Sequence, residues 1–247
     1  MPDIPERPIV LWAVPRSVST AFERVFIERD DFTVIHEPFS GTYYHSPQRR
    51  SDSFFDGAPR PDLCADHVLA DVLRPRDRRV FVKDMAYHTA GFMDRELVAH
   101  FTNSVLIRDP EKALASLHAR HPDFTFEEAG YGQLWRLYEM AAASGAHVPV
   151  IQAEDLLADP EGTIRAYCRA LDIDFAPDAL SWEARPVPQF SSWTSWHDTA
   201  QRTSSIGHDH SRDRELPAQL RAVYRRCLPY YEQLRAKALS PIDAAMR

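Results

Sequence analysis

Residues 9–26 read IVLWAVPRSVSTAFERVF, and this stretch decides the fold. Residues 9–14 are a short apolar run, rich in β-branched and aromatic side chains and closed by Pro8 and Pro15, which is the pattern of a strand buried on both faces. From Ser19 the period changes. Ala21, Phe22, Val25 and Phe26 fall on one helical face, while Glu23, Arg24, Glu28 and Arg29 fall on the opposite, polar one. Between strand and helix lies Pro15-Arg16-Ser17-Val18-Ser19-Thr20, which combines a cation, three hydroxyls and the N–H groups of a nascent helix. A helix N-terminus presents unpaired donors and the positive end of its dipole, and an arginine adds a planar donor fork, so the turn suits an oxyanion. An ordinary N-cap would account for the hydroxyls alone. The turn is not a Walker A loop, because it contains neither glycine nor lysine.

The same alternation continues along the chain. Further short apolar strands are expected at residues 32–36, 79–84, 104–108 and 148–152, with helices at 67–73, 92–101, 126–143, 160–171 and 217–239, the last broken near Pro229. Five strands alternating with helices predict a parallel sheet covered on both faces, within one α/β domain over residues 1–247. In such sheets ligands sit outside the carboxyl ends of the strands. His36 and Glu37 end the second strand and Lys83 the third, with His88 shortly after; Arg108 closes the fourth, with Ser116 inside the next helix behind Pro110. Residues 39–78 lose periodicity and gain Tyr, Ser, Pro and Arg, as an acceptor-binding insertion or lid would. There Tyr43, Tyr44, Phe54 and Phe55 could line a pocket, and Arg49 and Arg50 could meet an acidic ligand. Residues 188–212 read as a ligand-covering loop. His197, His208 and His210 lie within it, without further ligands at metal-site spacing.

Composition narrows the function. The 247 residues carry a formal net charge of -7, which argues against a nucleic-acid binder working by phosphate neutralisation. Cys64, Cys168 and Cys227 are odd in number and widely spaced, as in a reduced, cytoplasmic protein without disulfides. The N-terminus lacks a signal-peptide pattern, and no apolar run approaches the roughly 20 residues that span a bilayer. Oligomeric state is not encoded in any pattern here.

Taken together, these residues resemble the sulfotransferases that use 3′-phosphoadenosine 5′-phosphosulfate (PAPS), in a bacterial, carbohydrate-type-like branch. The family opens with a strand, a P-[KR]-S-x-[ST]-T turn and a helix; here Pro15, Arg16, Ser17, Val18, Ser19 and Thr20 match, with Val18 where glycine is usual. The family pairs a strand-ending arginine with a serine eight positions later for the 3′-phosphate, a spacing met by Arg108 and Ser116 in LIRDPEKALAS. The segment VIQAEDLLADPEGTIRAYCRAL is similar to the family's fifth strand and following helix, with Ala153 in place of a frequent aromatic. The R-K-G-x-x-G loop is absent, and Arg202, Ser204 and Ser205 in RTSSIG stand in for it.

The resemblance implies a P-loop-containing nucleotide-hydrolase-like three-layer fold. It also implies transfer of a sulfuryl group from PAPS to the hydroxyl of a small-molecule acceptor, with no metal. Arg16 and Lys83 would stabilise charge, and Glu37 or His88 would take the acceptor proton. An ATP- and Mg²⁺-dependent kinase with a degenerate P-loop lacks its glycine-lysine signature here. A binding protein without turnover is the other alternative, suggested by Val18, Ala153 and the missing loop.

Overall fold

The computed structural model describes residues 7–55, 57–193, 201–207 and 214–242. Five strands, β1 (Ile9–Ala13), β2 (Phe32–His36), β3 (Arg79–Met85), β4 (Thr102–Ile107) and β5 (Val150–Gln152), form one sheet in the order β2-β3-β1-β4-β5. Every pairing is parallel, so all five carboxyl ends reach one edge of the sheet. The chain steps from β1 outward to β2, returns through β3, and then crosses to β4 and β5 on the other side. The crevice beside β1 is therefore the switch point at which such sheets bind ligands.

Alternation along β1 explains why every one of its residues is buried. Ile9, Leu11 and Ala13 enter one core, and Val10 and Trp12 enter the other. On the first face lie α1 (Ser19–Ile27), α7 (Ala153–Ala158) and α8 (Pro160–Ala170). Phe26 of α1 stacks on Phe81 of β3 with centroids 3.8 Å apart and planes 4° from parallel, and Tyr167 of α8 meets Phe22 edge-on at 4.9 Å. Full burial of side chains of this size contributes about 1.5–3 kcal/mol each. The second face is covered by α3 (Ala65–Leu73), α4 (Arg95–Val98), α5 (Pro110–His118), α6 (Tyr131–Ala142) and α9 (Arg221–Arg235), through Val72, Val98, Leu114, Leu134 and Leu234. No helix among the described residues is long and apolar enough to cross a membrane.

Several local expectations are corrected. Residues 40–45, read as irregular, form the helix α2 (Ser40–His45). Its SGTYYH sequence has weak intrinsic preference, and tertiary contacts hold it: Tyr43 and Tyr44 are buried and the Thr42 hydroxyl donates to the Leu63 carbonyl at 2.8 Å. The helix expected at 92–101 shrinks to α4. Asp94 caps it by accepting from the Leu97 N–H at 2.9 Å, while Met93 and Phe101 reach the core from outside it. The helix α6 begins at Tyr131 rather than near residue 126, because Gly130 at φ 84 reverses the chain there. Between β5 and the helix expected from residue 160, where a loop beginning at Glu154 is the sequence expectation, the chain forms α7, and Asp159 then caps α8. The helix α9 runs through Pro229 without a break, beginning at Arg221 after a 3₁₀ turn at Ala218–Leu220.

Candidate active site

The turn after β1 has an unusual backbone. Arg16 (φ 64) and Val18 (φ 68) are both left-handed, whereas Ser17 between them is not. Such alternation turns successive N–H groups toward one side, forming an anion-binding nest. Left-handed backbone is costly for a β-branched residue. The Ser17 hydroxyl donates to the Val14 carbonyl at 2.7 Å and pins the turn to the strand. The Val18 side chain makes no cap to α1, and the N-terminus of this helix opens just past the carboxyl end of β1.

Residues distant in sequence close around this turn. Arg16 Nε donates to Ser116 Oγ at 3.0 Å, and Arg108 Nη1 donates to the Arg16 carbonyl at 2.6 Å. The sequence-derived Arg108 and Ser116 are thus brought against the Pro15–Thr20 turn. Two residues that sequence reading passed over support them. The Tyr131 hydroxyl donates to the Arg108 carbonyl at 2.7 Å, and Gly130 lies so close that an added Cβ would stand 3.2 Å from Pro15 Cδ. Only the position of Tyr131 at the start of α6 marks it. Glu154, at the carboxyl end of β5, accepts from the Asp109 N–H at 3.2 Å through Oε1.

A second group of charges lies between β2, β3 and α1. Register pairs His36 with Lys83, and the Glu37 N–H donates to the Lys83 carbonyl at 2.7 Å, carrying the ladder one residue past β2. Lys83 Nζ forms an ion pair with Glu37 Oε1 and stands 3.9 Å from Glu23 Oε2. His36 Nδ1 is 2.7 Å from Glu23 Oε2, and its Nε2 is 3.8 Å from Glu37 Oε1. The Lys83 and Glu23 side chains are 0% exposed and that of Glu37 8%. Glu37 is also left-handed, at φ 42. Glu23 and Arg24, on the polar face of α1, are buried: Glu23 turns into this cluster, and Arg24 pairs with Glu28 at 2.6 Å beneath the Trp182 ring.

His88 occupies a different setting. It is buried, its Nδ1 is 2.6 Å from Asp84 Oδ1, and its ring packs against Tyr43, Tyr44 and Tyr87. Asp84 also accepts from the Phe39 and Met85 N–H groups, at 2.8 and 2.7 Å. The Tyr44 and Tyr87 hydroxyls are 3.0 Å apart, and burial raises both phenols well above their ordinary range, with the nearby Glu37 charge adding to it. Arg49 and Arg50, read as free for an acidic ligand, have internal acidic partners. Arg49 Nε donates to Asp52 at 2.7 Å, and Arg50 holds Glu127 with two hydrogen bonds at 2.8 and 2.7 Å. That fork holds the Glu127 carboxyl below its usual range.

Arg202, Ser204 and Ser205 are exposed. The Ser204 and Thr203 carbonyls accept from the backbone and indole N–H groups of Trp182, each at 2.8 Å, and Ser205 bridges Ser181. His197, His208 and His210 lie outside the described residues. Among the described residues, no group of three or more His, Cys, Asp or Glu side chains is arranged to hold a metal ion.

Comparison with known proteins bears on the family and the fold. In Arabidopsis thaliana, branched-chain-amino-acid aminotransferase-like protein 2 is 28% identical over 227 residues, covering 91% of this chain and 40% of that protein. Its namesake protein 1 is 27% identical over 234 residues, covering 91% and 41%. The chain thus spans about two-fifths of the length of these relatives, whose names describe the whole proteins. The sulfotransferase domain from the olefin synthase of Synechococcus PCC 7002 superposes with a TM-score of 0.54 at 16% identity, over 95% of this chain and 97% of that one. At that identity the likeness is one of fold. The family described as Sulfotransferase domain matches residues 7–238, from before β1 through α9, and the chain belongs to that family.

Proposed function

We propose that this domain transfers a sulfuryl group from PAPS to the hydroxyl of a small-molecule acceptor. The observation that carries the reading is the nest at Arg16–Val18, against which Arg108 and Ser116 are drawn from the fourth strand and its helix. Three cations, Arg16, Arg108 and Lys83, lie at the same sheet edge as the N-terminus of α1, which matches the charge of a phosphosulfate with a further 3′-phosphate.

In this reading the Pro15–Thr20 turn holds the 5′-phosphosulfate, and Arg108 with Ser116 holds the 3′-phosphate. Arg202, Ser204 and Ser205 stand on the exposed side, where the nucleotide would be covered. Arg16 and Lys83 stabilise charge that builds on the bridging and sulfuryl oxygens. Glu37 takes the acceptor proton; it sits on the β2 edge in a strained backbone conformation and shares Lys83 with the sulfuryl group. His88 is the alternative base, but its Nδ1 is engaged by Asp84 and its ring is enclosed by three tyrosines. The Tyr43–Tyr44–Tyr87 cluster beside Glu37 makes residues 39–78 the acceptor side of the site. The three free cysteines accord with a reducing, cytoplasmic setting.

The test is sulfuryl transfer from PAPS to a panel of sugar, phenol and lipid-alcohol acceptors. Arg16→Ala is expected to lower kcat by about 10²-fold or more, as loss of a transition-state charge stabiliser does. Arg108→Ala is expected to raise the KM for donor about tenfold with a smaller change in kcat. Unchanged kinetics in both variants would refute the assignment.

A further inference from the structure

The helix that opens the anion site also carries a fully buried arginine to which the reading above gives no part. Arg24 lies five residues beyond Ser19 on α1, about 7.5 Å along the helix axis. Its Nε pairs with Glu28 Oε1 at 2.6 Å, its Nη2 donates to the Glu183 carbonyl at 3.3 Å, and its guanidinium lies 5.6 Å from the centre of the Trp182 ring. Nη1 has no hydrogen-bond partner among the described residues. A guanidinium buried with a donor unmet is costly, and packing alone would favour an apolar side chain of similar length. Beyond the helix and its C-cap residue Glu28, these contacts fall on one short segment, residues 182–183. Glu28 reaches the same segment, accepting from Arg185 Nη2 at 2.9 and 3.2 Å. Residues 181–182 in turn hold residues 203–205. Ser181 bridges Ser205 in antiparallel register, the Trp182 N–H donates to the Ser204 carbonyl at 2.8 Å, and the indole Nε1–H donates to the Thr203 carbonyl at 2.8 Å. Trp182 and Ile206 are buried in the core that Phe22 and Phe26 of α1 share. One chain of contacts therefore runs from α1 through Arg24 and Trp182 to the exposed Arg202, Ser204 and Ser205.

We propose that Arg24 is a positioning residue for donor binding: it latches the Trp182 segment to α1 and so fixes Arg202, Ser204 and Ser205 over a nucleotide held at the N-terminus of that helix. The role rests on the sulfuryl-transfer reading, in which the Pro15–Thr20 turn takes the 5′-phosphosulfate. Helix α1 then serves the donor twice, directly through its first turn and, by way of Arg24 and Trp182, through the covering residues. The latch is stiff because its parts depend on one another. Trp182 cannot leave α1 without stripping Arg24 of the ring above it and of the neighbouring Glu183 carbonyl, which leaves a buried charge with Glu28 as its remaining partner. Nor can residues 203–204 leave Trp182 without losing two hydrogen bonds, one to its main chain and one to its side chain. No residue of this chain of contacts belongs to the Lys83–Glu37 pair, so its loss falls on donor affinity rather than on turnover of bound donor.

The test titrates the full chain with 3′-phosphoadenosine 5′-phosphate by calorimetry and compares Arg24→Met, Trp182→Phe and the double variant. Methionine keeps the length of the stem without the charge, and phenylalanine keeps a ring beside Arg24 without the N–H that reaches Thr203. Each single variant is expected to raise the dissociation constant about threefold to thirtyfold and to leave kcat at saturating PAPS within about twofold. The double variant should bind within about twofold of the weaker single variant, because both changes break the same chain of contacts. Should Arg24→Met fail to fold, Trp182→Phe carries the same two readouts. A folded Arg24→Met protein that binds the bisphosphate as the wild type does overturns the proposal, and so do losses that multiply in the double variant. The wild-type titration separates this proposal from the reading beneath it. A wild type that does not bind the bisphosphate refutes the functional reading and the latch with it, whereas wild-type binding left unchanged in the variants refutes the latch alone.

Discussion

Replacing Val18 tests the backbone on which the anion site depends. Val18 is the N-cap of α1 at φ 68, ψ 14, is half-buried, and makes no side-chain cap. Left-handed backbone costs an L-residue about 1–2 kcal/mol, because Cβ crowds the following carbonyl oxygen. Val18→Ala keeps that cost, whereas Val18→Gly removes it. Glycine in turn loses about 0.4–1 kcal/mol relative to alanine through the greater freedom of its unfolded chain. Both variants lose the valine methyl groups, so the loss of packing nearly cancels between them. The difference leaves glycine about 0.5–1 kcal/mol more stable than alanine, or roughly 1–4 °C in Tm for a chain of this length. At an ordinary φ the order reverses, and alanine leads. Paired thermal and urea denaturation of the two variants reads the sign directly. Alanine more stable than glycine would refute the left-handed turn, and with it the nest.

Two other outcomes test the surroundings of the site. Arg50 holds Glu127 below its usual range, so the pair's stabilisation is present above the unfolded glutamate value of about 4.3 and is lost as pH falls through the lower folded value. Both side chains are about a third or more exposed, so Arg50→Met should cost at most about 1 kcal/mol at pH 7. Urea midpoints of variant and wild type should converge near pH 3, and a gap that persists there would contradict the assignment. Burial pushes the Cys168 thiol up to about 11 and the Cys227 thiol up to about 12, while Cys64 is partly exposed. A thiol-disulfide reagent at pH 8 should therefore modify one cysteine quickly and the other two only on unfolding; three fast thiols would show that these cores open.

The parallel sheet was legible because its strands are apolar on both faces. β2 is bounded as the sequence predicts, and the other four strands differ by a residue or two at their ends. The turn after β1 was legible by residue type, but its mechanics were not. Without a glycine, nothing in PRSVST announces two left-handed residues, and only the packed structure holds Val18 there. Arg108 and Ser116 stood out as a cation at a strand's end and a hydroxyl on the next helix, and the family resemblance implied their pairing, while their contact with Arg16 depends on the crossover that sets β4 beside β1. The burial of Glu23 was not legible, because helical periodicity separates polar from apolar faces and cannot tell solvent from a buried charge cluster. Arg49 and Arg50 show the converse, since a basic pair in a loop gives no sign of the carboxylates that partner it. The helix α2 lacked local preference altogether and is a product of the tyrosine core.

The central claim is that the Arg16 turn with Arg108 and Ser116 binds a 3′,5′-bisphosphorylated adenosine. Thermal denaturation with 3′-phosphoadenosine 5′-phosphate, run beside ATP with Mg²⁺, tests it most directly. A ligand at a hundred times its dissociation constant adds about 2.7 kcal/mol, which raises Tm by roughly 5–10 °C in a chain of this length. The account predicts that shift with the bisphosphate, its loss in Arg108→Ala, and none with ATP and Mg²⁺. A shift with ATP and Mg²⁺ alone, or with neither ligand, would contradict it.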